Sequence, residues 1–341
     1  MRARAPRRAV ATIGGVPALP RPERRYSRAG ATAVGLVVGY LADRGFADPR
    51  RWHPVAGFGR AAGALESRYH RDSRWAGAGY VAVTAGTATM LAVGVDRLRM
   101  GWMLRVATTA VTTWAVLGGT SLCRVGEQMA DALDSDDIAA ARALVPSLCA
   151  RDPNSLDADG ICRAAVESIA ENTSDATVGP LIWGGLAGLG GLVGYRALNT
   201  LDAMVGYRSP RHLRFGWAAA RADDAVNLLP ARVAGLATVA VGGAPRETIA
   251  IWRRDAAAHP SPNAGVVESS FAGALGVRLG GRTVYRYAVE ERPTLGDGLP
   301  PSTADLRAAV DLSRRVQTAS LVTATGVLAA RTWWLSRRSA R

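Results

Sequence analysis

VGPLIWGGLAGLGGLV, residues 178–193, carries no charged side chain and is set between two polar stretches. Upstream stand Arg151, Asp152, Arg163, Glu167, Glu171, Asn172 and Asp175. Downstream stand Asn199, Asp202, Arg221, Asp223, Asp224, Asn227 and Arg232. A run so apolar fits a bilayer or a tight helical core, and charged groups around it are costly unless they serve a site. Further apolar runs at 75–95, 101–119 and 320–335 are bounded by Arg, and 48% of the chain is hydrophobic beside a formal charge of +14. This pattern predicts an all-α fold, a polytopic integral membrane protein whose loops carry the charge.

Residues 1–28 are rich in Arg and Pro without periodicity and read as a disordered extension, leaving 29–341 as one membrane domain. The apolar stretch 31–41 covers only half of the ~20 residues a spanning helix needs, so it reads as a short buried or interfacial helix. The apolar helices of 76–119, joined by Asp96-Arg97-Leu98-Arg99, read as a transmembrane hairpin. Residues 121–176 form a polar helical catalytic insert, 177–280 a motif region, and 317–335 a C-terminal membrane helix; 286–303 is loop-like.

All 42 basic residues are Arg, so no lysine can serve as nucleophile or phosphate clamp, and a phosphate must meet Arg or backbone N–H groups. The arginines are not gathered with aromatics on one polar module, which excludes a nucleic-acid partner. Cys123, Cys149 and Cys162 are odd in number and lack CxxC spacing, which argues for reduced thiols over zinc or a disulfide framework.

Arg163, Glu167 and Glu171 are four residues apart and share one helical face, while Ala164, Ala165, Val166, Ile169 and Ala170 supply an apolar face. Asn172 and Asp175 extend the polar set by a turn. Asp223, Asp224 and Asn227 repeat the arrangement downstream, between Arg221 and Arg232. Oxygen ligands at helical spacing with Arg nearby suit Mg²⁺ and phosphate better than zinc or a hydrolytic triad. The acidic run 134–137 is a cap for a helix beginning near Ile138, and Asp159 a cap for the helix carrying Glu167. His53 precedes Pro54 in a turn, and Ser261-Pro262-Asn263-Ala264-Gly265 is a turn that can present backbone donors; both stay open between structural and ligand-facing roles.

Taken in order, His53-Pro54-Val55, Arg151-Asp152, Ala165–Asn172 (AVESIAEN), Asp175, Pro180-Leu181-Ile182-Trp183, Asn199-Thr200-Leu201-Asp202, Gly206-Tyr207, Ala220-Arg221 with Asp223-Asp224 and Asn227, Pro230-Ala231-Arg232 and the SPNAG turn resemble the CobD/CbiB family of cobalamin biosynthesis, the adenosylcobinamide-phosphate synthases. The resemblance spans about 30–335. It implies an integral membrane ligase that joins the corrinoid adenosylcobyric acid to aminopropanol or its O-phosphate, with ATP as co-substrate and Mg²⁺ as cofactor. Pro153-Asn154 follows Arg151-Asp152 where the family commonly has Thr, which leaves the role of that loop open.

The reaction suggests roles. A carboxylate condenses with an amine only after its oxygen becomes a leaving group, so ATP would form an acyl phosphate while Mg²⁺ and Arg neutralise charge. Glu167, Glu171, Asp175, Asp223, Asp224 and Asn227 are expected to hold Mg²⁺ and its phosphates. Arg151, Arg163, Arg221 and Arg232 are expected to clamp anions, with Asp152, Asn172, Asn199, Asp202, Ser261 and Asn263 beside substrate or phosphate. His53 or Glu171 would take the amine's proton. No GxxxxGK[ST] is present, so ATP would be held without a P-loop.

These substrates are cytoplasmic, so the motif loops should share the cytoplasmic face of the cell (inner) membrane, with lipid around a multi-pass chain. A straight crossing by 178–193 would separate the two acidic clusters, which predicts a broken or re-entrant segment. A homo-oligomer, or a complex with other corrinoid-pathway enzymes, stays open. Two other functions share parts of this pattern: an Mg²⁺-dependent membrane phosphotransferase or prenyltransferase, and a non-catalytic sensor similar to AmpE proteins.

Overall fold

In the computed structural model, which describes residues 21–48, 53–207, 209–284 and 289–339, the apolar run folds back on itself at Gly188. Gly188 has φ 62° and ψ −142°, a conformation open to glycine and strained for other residues. The segments on either side lie antiparallel. A methyl group on Gly179 would strike Tyr195, one on Gly184 would strike Leu192, and Asn199 donates a hydrogen bond to Asp175. From Asp175 to Gly188 and back to Asn199 the chain travels about 15–20 Å each way at ~1.5 Å per residue. The expected break is therefore present, and it brings the ends of the run side by side.

The helices are α1 (Arg21–Phe46), α2 (Pro54–Tyr69), α3 (Arg74–Arg97), α4 (Trp102–Val116), α5 (Gly119–Asp134), α6 (Ile138–Leu144), α7 (Ala158–Thr173), α8 (Gly179–Leu201, broken at Gly188), α9 (Trp217–Val241), α10 (Pro245–Asp255), α11 (Ala264–Leu275) and α12 (Thr303–Ser339). Among the described residues, four stretches, Arg74–Arg97, Trp102–Asp134, Ala158–Gly206 and Trp217–Val241, are long and apolar enough to cross a membrane. The described residues are 79% helical, and among them the departure from an all-α fold is an antiparallel ribbon of β1 (Leu279–Val284) and β2 (Val289–Leu295). Its second strand, VEERPTL, has no apolar alternation and was readable as loop; the ends Leu279 and Leu295 are nevertheless fully buried.

Small residues set the closest helix contacts. Gly35 and Gly39 of α1, spaced as GxxxG, face Thr109, Ala110 and Thr113 of α4, so these backbones approach directly. Helix α4 packs chiefly on α1 and α3 on α8. An apolar cleft of about 470 Å³, lined by Phe58, Leu91, Val95, Val111 and Val193, lies between α3 and α4, and Arg105 pairs with Asp96 at 2.5 Å beside the connecting turn. Helix α12 buries Leu306, Val310, Val316, Leu321, Ala324 and Leu328 along one face against α1, α5, α7, α8 and α9. It contains all of 317–335.

Two local readings change. Helix α1 begins at Arg21, inside the stretch 1–28 read as disordered, and continues past 31–41 as one helix; residues 1–20 lie outside the described residues. The cap of α7 is Asp157, which accepts from Gly160 N at 2.8 Å, whereas Asp159 stands in the first turn. Asp137 caps α6 by accepting from Ala140 N at 2.9 Å, as its acidic run suggested.

Candidate active site

Two π-helical turns carry acidic residues into the interior. Ser174–Val178 follows α7 and holds Asp175, and Asp202–Gly206 follows α8 and begins with Asp202. An extra residue per turn widens the helix locally and re-aims its side chains, a device frequent at functional sites. Because α8 reverses at Gly188, both turns face α9. Asn199 Nδ2 donates to Asp175 Oδ2 at 3.1 Å and to Asp223 Oδ1 at 3.4 Å, and Asn227 Nδ2 donates to Asp223 Oδ2 at 2.9 Å. Tyr195 donates to Asn227 Oδ1 at 2.7 Å, so one amide–phenol network ties the two sequence clusters together.

This network borders two cavities that share Glu171, Asp175 and Asp202. The inner chamber, about 210 Å³, adds Asp223, Asp224 and Asn227 from α9 and Ser261 and Asn263 from the SPNAG turn. Among the described residues, its wall has five carboxylates and no basic side chain. The outer cleft, about 390 Å³, adds Arg151, Glu167, Asn172, Asn199, Glu268 and Arg292. Here the carboxylates have cationic company. Arg151 and Glu167 form a buried ion pair, and Glu167 Oε1 also accepts from Gly280 N at 2.7 Å, which ties the ribbon to α7.

The expected site residues thus divide. Glu167, Glu171, Asn172, Asp175, Asn199, Asp202, Asp223, Asp224, Asn227, Arg151, Ser261 and Asn263 all line one cavity or both. Arg232 stands one step behind the wall and donates to Asn263 Oδ1 at 2.8 Å; Asn263 in turn donates to the Asp224 carbonyl at 2.8 Å. Arg163 turns away and donates to the Arg282 carbonyl at 2.8 Å. Arg221 is mostly exposed, 3.5 Å from Asp224, and Asp152 caps its own turn by accepting from Asn154 N. His53 lines neither cavity. Its Nδ1 accepts from Val55 N at the start of α2, and its Nε2 faces Asp48 at 3.6 Å.

Glu268 and Arg292 belong to the outer wall and were not among the expected site residues. The signal for Glu268 was a lone carboxylate in AGVVESSFAGAL, an otherwise uncharged helix. Arg292 lies in the ribbon that read as loop. Burial pushes the Glu268 carboxyl well above its ordinary range; Glu167 and Glu171 add to this, while Arg292 and Arg151 oppose it. Among the described residues, no three His, Cys, Asp or Glu side chains stand together as a ready-made metal cage.

Apolar helices long enough to cross a membrane, folded around a cavity of carboxylates, amides and arginines, define a predominantly helical protein with an interior polar site. The chain belongs to the CobD/Cbib family, whose pattern it matches over residues 36–313. It is 56% identical over 296 residues to the cobalamin biosynthesis protein CobD of Mycobacterium tuberculosis, covering 86% of this chain and 94% of that protein. The protein of the same name from Rhodobacter capsulatus is 40% identical over 268 residues, covering 77% and 85%. That from Chromobacterium violaceum is 39% identical over 293 residues, covering 83% and 93%. No solved structure matches the chain.

Proposed function

We propose that this protein acts in cobalamin biosynthesis as an ATP-dependent, membrane-embedded ligase that joins adenosylcobyric acid to aminopropanol or its O-phosphate. Membership in the CobD/Cbib family and the printed names of its relatives support the pathway. The observation that carries the chemistry is the pair of cavities meeting at Glu171, Asp175 and Asp202, one with arginines in its wall and one with carboxylates alone. The corrinoid would stay outside and extend its reacting carboxylate inward.

The inner chamber fits a divalent cation, since its wall has five carboxylates and no basic side chain among the described residues, with Arg221 meeting Asp224 from the exposed side at 3.5 Å, and such a wall is costly unless a positive charge compensates it. Mg²⁺ usually keeps several waters and takes one or two carboxylates with substrate phosphates, so a closed protein cage is not required. Asp175, Asp223 and Asn227 would hold it, with Glu171 and Asp224 at its water shell, and it would supply charge neutralisation to the nucleotide phosphates. Tyr195 and Asn199 orient these oxygens through their hydrogen bonds. Ser261 and Asn263 would contact phosphate from the opposite wall, steadied by Arg232. Arg151 and Arg292 face the cleft where anionic substrate groups would enter. The active cavities would open to the cytoplasm, with the Gly188 hairpin re-entering the protein-covered interior of the membrane.

Membranes containing the protein, supplied with adenosylcobyric acid, Mg·ATP and aminopropanol O-phosphate or aminopropanol, test this reading by product mass. Amide product that requires ATP and disappears in Asp223→Asn supports it. Folded wild-type protein giving no amide with either acceptor overturns it.

A further inference from the structure

Glu268 and His259 face each other in the interior, and the polar atoms they present have no hydrogen-bond partner among the described residues. Glu268 Oε1 lies 3.7 Å from His259 Nε2 and 3.9 Å from Arg292 Nη1, and the Glu268 side chain is only 1% exposed. A carboxylate oxygen so placed is costly unless a ligand completes it. Glu268 also forms part of the outer cleft wall. The side chain therefore borders the cleft, with Oε1 buried at its wall and without a hydrogen-bond partner among the described residues.

The imidazole is held in a defined orientation. His259 Nδ1 lies 3.1 Å from the Ser261 backbone N and 3.2 Å from the Ser261 carbonyl oxygen, so Ser261 anchors one side of the ring while Nε2 faces Glu268. Burial, together with the charge of Arg292, lowers the basicity of this ring and favours its neutral form. The SPNAG turn thus acquires a second task, because Ser261 orients His259 through its backbone while its Oγ accepts from Asn263 N and Ala264 N. Glu268 is faced by Glu167 and Glu171 from α7, by Arg151 from the preceding loop, by Arg292 from β2 and by His259. The cleft wall holds Glu167, Glu171, Asp175, Asp202 and Glu268 against Arg151 and Arg292, an excess of carboxylates that suits a small cation.

We propose that Glu268 is the binding group for the primary ammonium of the amino-alcohol acceptor and its proton acceptor, with His259 as the positioning residue. The reaction, though not the amine binding, rests on the ligase reading above. The ammonium gives one proton to the Glu268 carboxylate, and the freed nitrogen lone pair attacks the acyl-phosphate carbonyl. The C–N bond forms as the C–O bond to phosphate breaks. The nitrogen's second proton leaves with the departing phosphate, so acyl phosphate and ammonium yield amide, hydrogen phosphate and one proton released through Glu268. This assignment takes the proton-acceptor role from Glu171, which borders the chamber assigned to the cation.

Two measurements on the full chain in membranes test it. Equilibrium binding of labelled aminopropanol O-phosphate without ATP or corrinoid is expected to weaken at least about tenfold in Glu268→Gln, since a charge-assisted hydrogen bond contributes ~1.5–3 kcal/mol. In steady-state amide synthesis, kcat/KM for the acceptor is expected to fall about 10²–10⁴-fold, the usual scale of acid–base catalysis. KM for ATP and for corrinoid should stay near wild type, and Glu268→Asp should recover part of the loss. His259→Ala is expected to displace the acid limb of the acceptor kcat/KM profile, a readout that loss of packing alone would not move. Unchanged amine binding in Glu268→Gln overturns the subsite. So does an equal loss of affinity for ATP, corrinoid and amine, which would mark Glu268 as a structural charge. Amine binding that depends on Glu268, in membranes that form no amide, retains the subsite and discards the ligase reading.

Discussion

The inner chamber and the outer cleft share three carboxylates yet solve opposite electrostatic problems. In the outer cleft the protein supplies its own cations: Arg151 neutralises Glu167, and Arg292 approaches Glu268. In the inner chamber five carboxylates line the wall, and among the described residues only amides, hydroxyls and apolar groups line it beside them. A wall with its own counter-charge can stand alone. One without it leaves its charge to be met from outside the wall, and in the ligase reading proposed above the phosphates would lie at that end and the amine at the other.

The largest expected effects would break this division at the shared carboxylates. Glu171→Gln and Asp223→Asn should each lower amide synthesis about 10²–10⁴-fold, on the scale of a lost acid–base or electrostatic group. Chelating divalent ions should remove activity from wild type, and added Mg²⁺ should restore it there. His53→Ala is the contrast. Being on neither wall, it should cost about 1 kcal/mol of helix-cap stability and leave turnover near wild type.

Removing the outer cleft's cation makes it resemble the inner chamber. Arg151→Ala would leave Glu167 buried without its ion-pair partner, at an expected cost of about 3–5 kcal/mol, read as a fall in thermal unfolding temperature in detergent. Arg151→Ala with Glu167→Gln should recover much of that loss. A single variant as stable as wild type would show that this pair does not hold the wall.

A smaller effect tests the reversal that makes the chamber. Gly188→Ala imposes a side chain on a positive φ, with Asp96 Oδ2 only 3.1 Å from the new methyl. About 1–2 kcal/mol of lost stability is expected. Ligand affinity at the acidic end should fall less than stability does, because Asp175 and Asn199 are still joined directly.

The smallest expected effect lies outside both cavity walls. Asp255 accepts from Arg254, which holds its carboxyl below the ordinary range, and from Gly296 N at 2.8 Å. A depressed folded value stabilises the protein above the unfolded carboxylate value near ~3.9, and the benefit is lost as pH falls through the folded value. Asp255→Ala should therefore lower the unfolding temperature at pH 7, and its gap to wild type should narrow on acidification. A gap that widens in acid would contradict the pairing.

Much of the site was legible because helical spacing is local. Glu167, Glu171 and Asp175, read as one group, line the outer cleft together, and Asp223 with Asn227, read as another, line the inner chamber. Arg163 shows the limit of that reading: each step of four residues overshoots a full turn by about 40°, so two steps turn Arg163 well away from Glu171 and toward the ribbon. Glu268 was visible as a lone charge in an apolar helix, but its facing partner His259 was not. Asp159 read as the cap of α7, and the backbone geometry instead puts Asp157 there.

By itself, the sequence determined a predominantly helical chain with apolar stretches of membrane-crossing length, two acidic clusters at helical spacing, and the family to which both belong. Those properties follow from hydrophobic content and a fixed rise and turn per residue, which need no knowledge of distant neighbours. The tertiary structure alone decided that the clusters share one chamber, that Arg151 and Arg292 serve the outer cleft, and that a ribbon carries Arg292 to Glu268. Each depends on where the chain reverses at Gly188 and on contacts more than twenty residues apart, where local propensity carries no information and packing makes the choice.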